Sequence, residues 1–582
     1  MGAWLRCSSV EDPQGVFSFV APRHPPICRK TAPLVVFRQA LIAFLKTKSR
    51  AASAPRHVFN LALLLLVFAC LPLAAPAALF WDADGSTTAA TGGTGNWDST
   101  SSLWRSGSST GTLGLWLNDG TAAATFGGTA GTISLTENIS INSLTLNVGQ
   151  TIASPGGSTL TFSGASASIN GTSGSAATIS AIIAGSVALT KAQSVQLTLS
   201  GANTFSGGLA VTGGRLNFNN NSAAGSGTVS VGSQTANVSL GTTAATTTLA
   251  NDFSFAPTAT KTIDLFATSG NSLTLNGVVS GSGDFSVGAT GSGTVVLGGN
   301  NTFTGALSIS AGILRLGNDG ALNSATPAAL SMSGGTLRLN GHSVTVSGLS
   351  GAAGTIDNGV AGTATLTVSR ATGSDTFSGV LANGTAGTLS LAKSGAGTLI
   401  LGGANTFTGG TTVSGGSLQL GANNVLPDSG TFTLSGGTLV LNKKTDYAGP
   451  LSVVASSVIT LSAGAGGVLS FNGGSWTAGT LVINGWTGVA GGTGTGDQLY
   501  FRDSGNNAVI VAANLLGNIN FGGYTGGAAQ LGSGELVPAA VPEPGTIWAA
   551  VFLGAVVLAG RGRVISYRLS VIGGAKRSRK NL

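Results

Sequence analysis

The chain has 582 residues and a formal charge of +8, but that charge sits at its ends. Nine Lys/Arg precede residue 79 and seven follow residue 560, leaving 11 basic against 17 acidic residues between them, a net of −6. Such a body lacks the clustered cations that displace counterions from nucleic acid, which argues against DNA or RNA partners. Cys7, Cys28 and Cys70 also precede residue 79, so the remainder has no disulfide and no Cys-based metal site.

Residues 1–78 read as an extended leader. Lys46, Lys48, Arg50 and Arg56 form a positive region, Leu61 to Leu71 an apolar run, and Ala74-Ala75-Pro76-Ala77-Ala78 a small-residue cleavage zone. Residues 79–150 follow as an N-terminal cap and first coils. Their tryptophans, Trp81, Trp97, Trp104 and Trp116, serve either core packing or carbohydrate stacking.

From 151 to 475 the pattern is short strands punctuated by glycine, which numbers 93 in the chain, about one residue in six. Gly334-Gly335-Thr336-Leu337-Arg338-Leu339, Gly415-Gly416-Ser417-Leu418-Gln419-Leu420 and Gly436-Gly437-Thr438-Leu439-Val440-Leu441 each alternate with period two. Helical spacing is absent, and this many glycines would each cost a helix about 1 kcal/mol against alanine. No helix is expected between residues 80 and 540. A longer unit recurs: an Asn-Thr-Phe turn at Asn203–Phe205, Asn301–Phe303 and Asn405–Phe407, with a strand on either side and then a Gly-delimited third strand. Repeated short strands of this kind predict a solenoid of ~20–25 residues per coil, since one coil cannot bury its apolar face alone. The turn asparagines are placed to bond backbone groups or to stack on one another. Residues 476–540, with Trp476, Trp486, Tyr500, Phe501 and Tyr524, read as the C-terminal cap. The predicted fold is all-β, a parallel β-helix with aromatic-rich end caps.

The three units, near 189–227, 286–320 and 391–426, resemble the autotransporter-associated β-strand repeat, with Phe205, Phe303 and Phe407 where that family usually has Tyr. The flanks Phe80-Trp81-Asp82 and Gly496-Asp497-Gln498-Leu499-Tyr500-Phe501 are similar to the start and end of large exported proteins of this type. The resemblance implies an exported structural or adhesive solenoid.

Chemistry-bearing residues are few. The body has one histidine, His342, in what reads as a turn without a carboxylate partner. Asp82-Ala83-Asp84-Gly85 and Gly491 to Asp497 are similar to Ca²⁺ loops but lack the rest of the ligand set, so both read as turns. Asp319, Asp357 and Asp428 fit Asx turns. The alternative class is a β-helical polysaccharide-binding or polysaccharide-degrading enzyme. It would need carboxylates converging on one face, with Asp98, Asp119 or the Lys443-Lys444-Asp446 cluster as contributors. Without such convergence the reading is a non-enzyme with no catalytic residues, no metal and no cofactor.

Residues 541–582 read as a sorting and anchor segment. Val541-Pro542-Glu543-Pro544 precedes an apolar run, Ile547 to Gly560, and then a basic tail. The run is short for a bilayer, which wants ~20 residues, but the basic residues would stop it there as a single transmembrane helix. This ending resembles the PEP-CTERM signal of Gram-negative exported proteins. The resemblance implies processing by an exosortase after passage through the secretion machinery, transient inner-membrane anchoring, and association with extracellular polysaccharide. The location it implies is the cell envelope, outer surface or extracellular matrix.

Overall fold

The computed structural model describes residues 78–541, apart from 87, 165, 166, 173, 258, 259 and 465. These lie in one compact unit, Pro76–Leu582; the predicted leader and the apolar run after Pro544 fall outside the described residues. The unit is a parallel β-solenoid. The chain passes round three faces per coil, and each strand pairs in register with the strand one coil below and one coil above. The longest parallel ladder has twelve strands, from Gly95–Trp97 to Gly348–Ser350. A seven-stranded ladder beginning at Ser374–Phe377 continues the same face, joined through a bridge between Gly351 and Phe377.

Period-two alternation sets which side chains meet, because successive residues of a strand point to opposite faces. On one face, Leu197, Leu216, Leu240, Leu265, Val287, Ile309 and Met332 stack in register, all of them buried. On the next, Leu273, Val295, Leu314, Leu337, Ile356 and Leu381 do the same. Each such side chain contributes roughly 1.5–3 kcal/mol by leaving water, which is how a chain without disulfides in its body holds together. The outward column of the third face is small and uncharged, running Ser143, Ser168, Thr190, Ala210, Ser230, Ser254, Ser280. Those register partners lie 20 to 26 residues apart, which is the length of a coil.

Both ends break the pattern. At the N-terminal end Ala78–Trp81, Trp104–Ser106 and Leu113–Gly114 pair antiparallel. Trp81, Trp97, Trp104 and Trp116 pack in edge-to-face and tilted contacts with one another and with Phe126, and none is more than 1% exposed. Their rings are closed to any carbohydrate. At the other end Trp486 packs on Phe521 and Tyr524, and parallel pairing gives way to an antiparallel ribbon of Ala528–Gln530 with Leu536–Pro538. One short helix, Ala513–Leu516, departs from the expectation of none; it is a single turn in the connection between two strands of that end. Among the described residues no helix is long and apolar enough to cross a membrane.

Candidate functional site: the repeat turns and the acidic positions

The Asn-Thr-Phe turn is where sequence repetition becomes structure. Asn203 Oδ1 accepts the Ile183 N–H at 2.8 Å, and its Nδ2 donates to the Ala223 carbonyl at 2.7 Å. Asn301 does the same with Val279 and Ala321, at 2.8 and 2.8 Å. Asn405 does so with Leu381 and Val425, at 2.8 and 2.7 Å. Each amide therefore ties the coil beneath to the coil above and satisfies two backbone groups, each of which would cost about 1–3 kcal/mol if buried unpaired. The asparagines bond backbone, not each other. The next residue's N–H returns to the same lower residue, as Thr204 to Ile183, Thr302 to Val279 and Thr406 to Leu381. Phe205, Phe303 and Phe407 then fill the core, each at most 2% exposed.

The glycines of the motif have a steric cause. A Cβ at Gly201, Gly299 or Gly403 would stand 2.3, 2.2 and 1.8 Å from the carbonyl oxygens of Ala181, Gly277 and Gly379 in the coil beneath. Gly214, Gly312 and Gly416, which open the third strand of each unit, have φ of +73°, +65° and +56°. The same motif nevertheless sits on different faces. Gln196–Leu199 of the first unit belongs to the twelve-stranded ladder, whereas Thr294–Leu297 of the second belongs to the neighbouring seven-stranded one. Thr398–Leu401 of the third returns to the continuation of the first unit's face, so two sides of the coil host the motif.

Two lysines missed from the sequence occupy one repeat position. Lys191 and Lys393 each lie five residues before their unit's opening strand, Gln196–Leu199 and Thr398–Leu401. Both are wholly buried without a carboxylate. Lys393 Nζ donates to the carbonyls of Ser394, Gly395 and Gly415 at 2.6, 2.8 and 3.1 Å, and Lys191 Nζ to those of Gln193 and Gly213. Burial pushes Lys191 down to about 7 and also lowers Lys393, while the carbonyl acceptors favour the ammonium. Aligning the strands reveals the position: Lys191 is in register with Val211 and Lys393 with Val413, and the second unit has Val287, in register with Ile309, there.

Most of the acidic residues do not converge; Asp428, Asp446 and Asp503 come nearest to doing so, around Tyr447. Asp98 and Asp119 bond their own turns, at Thr100, Ser101 and Thr121. Asp82 is buried against Arg105, with Nε to Oδ2 at 2.7 Å, and also accepts Thr91. Asp497 accepts backbone N–H groups from Lys443, Ser462 and Gly467, so the segment similar to a Ca²⁺ loop is a staple between coils. Two turn assignments need correction. Asp357 forms a two-pronged ion pair with Arg338, one coil away. Asp319 lies 3.0 Å from Nδ1 of His342, which gives the histidine the carboxylate partner the sequence did not reveal. The adjacent Ser343 Oγ accepts the Thr365 N–H from the next coil. Among the described residues no three His, Cys, Asp or Glu side chains are grouped to hold a metal.

Asp446 is the exception in kind. It lies in register with Leu469, which in turn faces Leu499, so it points into the core. Its Oδ2 accepts the N–H groups of Val425 at 2.7 Å and Leu426 at 3.2 Å, from the coil beneath, as the repeat asparagines do. Its Oδ1 is buried with no partner. Burial, opposed by those two N–H bonds, pushes the carboxyl up to about 7. An inward carboxyl in an apolar ladder is out of reach of a polymeric substrate outside the coil, so it does not serve the surface chemistry that a polysaccharide-cleaving enzyme requires.

Comparison with known proteins points the same way as the repeat. Segments 189–218, 289–316 and 391–420 match the passenger-associated-transport-repeat family. Over 195 residues the chain is 35% identical to the adhesin BmaC autotransporter of Brucella suis biovar 1 (strain 1330). That stretch is 31% of this chain and 5% of the relative, so the match spans about one-twentieth of the relative's length. No solved structure matches.

Proposed function

We propose that the protein is an exported β-solenoid acting at the cell surface or in the extracellular matrix as an adhesive or structural element. The observation that carries this reading is that the three segments matching the passenger repeat are coils of one uninterrupted solenoid. An adhesin shares sequence with part of it. A solenoid of this kind fits a binding role, because identical coils multiply surface without needing a concave active site. The reading is of a non-enzyme: the carboxylates that chemistry would require are spent on turns, on ion pairs and on the core. Sorting is part of the proposal. Val541-Pro542-Glu543-Pro544, the apolar run and the basic tail support recognition by an exosortase after secretion, passing anchorage in the inner membrane, and residence among extracellular polysaccharide.

Fractionation with an antibody against the middle coils, joined to an attachment assay, tests this. The protein is expected at the outer surface or in the matrix, and cells lacking it are expected to attach less well to coated surfaces. Full-length protein confined to the cytoplasm would overturn it.

A further inference from the structure

On the outside of the coil that buries Asp446 lies a cleft of about 290 Å³. Its floor is Ser470, which stands in register between Tyr447 on one side and Tyr500 on the other. Tyr447 lines one wall. Arg502 bounds the opposite side, its guanidinium 3.5 Å above the Tyr500 ring and held by bonds to the Ser533 carbonyl and Asn506 Oδ1. Asn424 and Asp503 also line the cleft, as does Asp446, whose carboxyl points the other way into the core. Tyr447 Oη is shielded from solvent yet has no hydrogen-bond partner, a state that costs about 1–3 kcal/mol and is relieved when the side chain shifts to meet a group in the cleft it lines. Burial first, then the carboxylates of Asp503 and Asp428, hold that phenol above its ordinary range, so it stays a donor.

We propose that this cleft binds a single neutral pyranose unit of a glycan, with Tyr447 Oη donating to a ring hydroxyl and the tyrosine face against the sugar's C–H surface. The volume lies at the small end of ligand pockets, which run ~300–1,000 Å³ for drug-sized molecules; it suits one monosaccharide, not a peptide. Arg502 has three further N–H groups beyond its two bonds, but the carboxylates of Asp503 at the rim and Asp428 beside Tyr447 repel another, so uronic acids are disfavoured. This inference rests on the adhesive reading and gives it a ligand.

The test is saturation-transfer NMR on the full-length protein with the methyl glycosides of glucose, galactose and mannose, and with methyl glucuronide. Saturable binding of at least one neutral glycoside is expected. Tyr447→Phe should weaken it at least fivefold, Ser470→Arg should abolish it, and the glucuronide should bind at least tenfold more weakly. No saturable neutral binding overturns the proposal, as does binding unchanged in Tyr447→Phe or preferential binding of the glucuronide. Attachment assays separate the two claims. Cells that adhere equally well with Ser470→Arg refute the cleft alone, whereas wild-type cells that adhere no better than the deletion strain refute the adhesive reading.

Discussion

Two positions in the solenoid do the same job with different atoms. At Asn301 an amide accepts from the coil below and donates to the coil above. At Asp446 a carboxyl accepts from below, and its second oxygen finds nothing. The difference is one proton. An amide carries its donor at every pH, while the acid carries one only when protonated. A solenoid locks adjacent coils most economically with a side chain that presents both a donor and an acceptor, and a carboxylate makes the same position conditional.

The largest effect should come from making the good position resemble the poor one. Asn301→Asp would leave the Ala321 carbonyl facing a carboxylate in a buried site, a loss of roughly 3 kcal/mol or more at pH 8. Thermal unfolding at pH 5 and pH 8 should show most of that loss only at the higher pH. Asn405→Asp should lose less, because Asn405 is half-buried.

The reverse swap sharpens the comparison. The Asp446 carboxyl ionises near 3.8 when unfolded and at about 7 when folded. The folded state therefore holds more protons between those values, and its stability falls as pH rises through that window. Asp446→Asn should remove the fall, so its advantage over wild type grows from pH 4 to pH 7 and then stays level. Melting temperatures across that range would show it, and parallel curves for the two proteins would refute it.

Smaller again is Lys393→Met, which strands three carbonyls that one ammonium now serves; a loss of about 1–3 kcal/mol is expected. The first and third units use this lysine and the second, with Val287, does without, so hydrogen exchange should loosen around Gly415 and not around the second unit. The smallest change should be Arg338→Ala. Its pair with Asp357 is partly exposed, with 34% of the arginine side chain open to solvent, and such pairs contribute about 0–1 kcal/mol.

Much of this is legible in the chain. Leu337 and Leu339 announce their strand by alternation, and Gly403-x-Asn405-Thr406-Phe407 announces its turn by recurring. What is not legible is equally specific. The third unit reveals nothing of the bond from Asn405 to Val425, because the partner lies twenty residues on and carries no mark of its own. Asp319 and His342 read as separate turns, although 23 residues of chain bring them together. Asp446 reads as part of a surface cluster with Lys443 and Lys444, since a strand of three residues is too short for alternation to say which side faces in.

From its sequence alone the chain is committed to stacked, glycine-delimited strands, because period-two hydrophobicity and positive-φ glycines act within a few bonds of each residue. Folding in three dimensions decides which face each unit occupies, which polar groups turn inward and which side chains meet. Those outcomes depend on coil length, which varies from 20 to 26 residues along one ladder, and one residue more or less between strands moves every later contact without altering any local pattern.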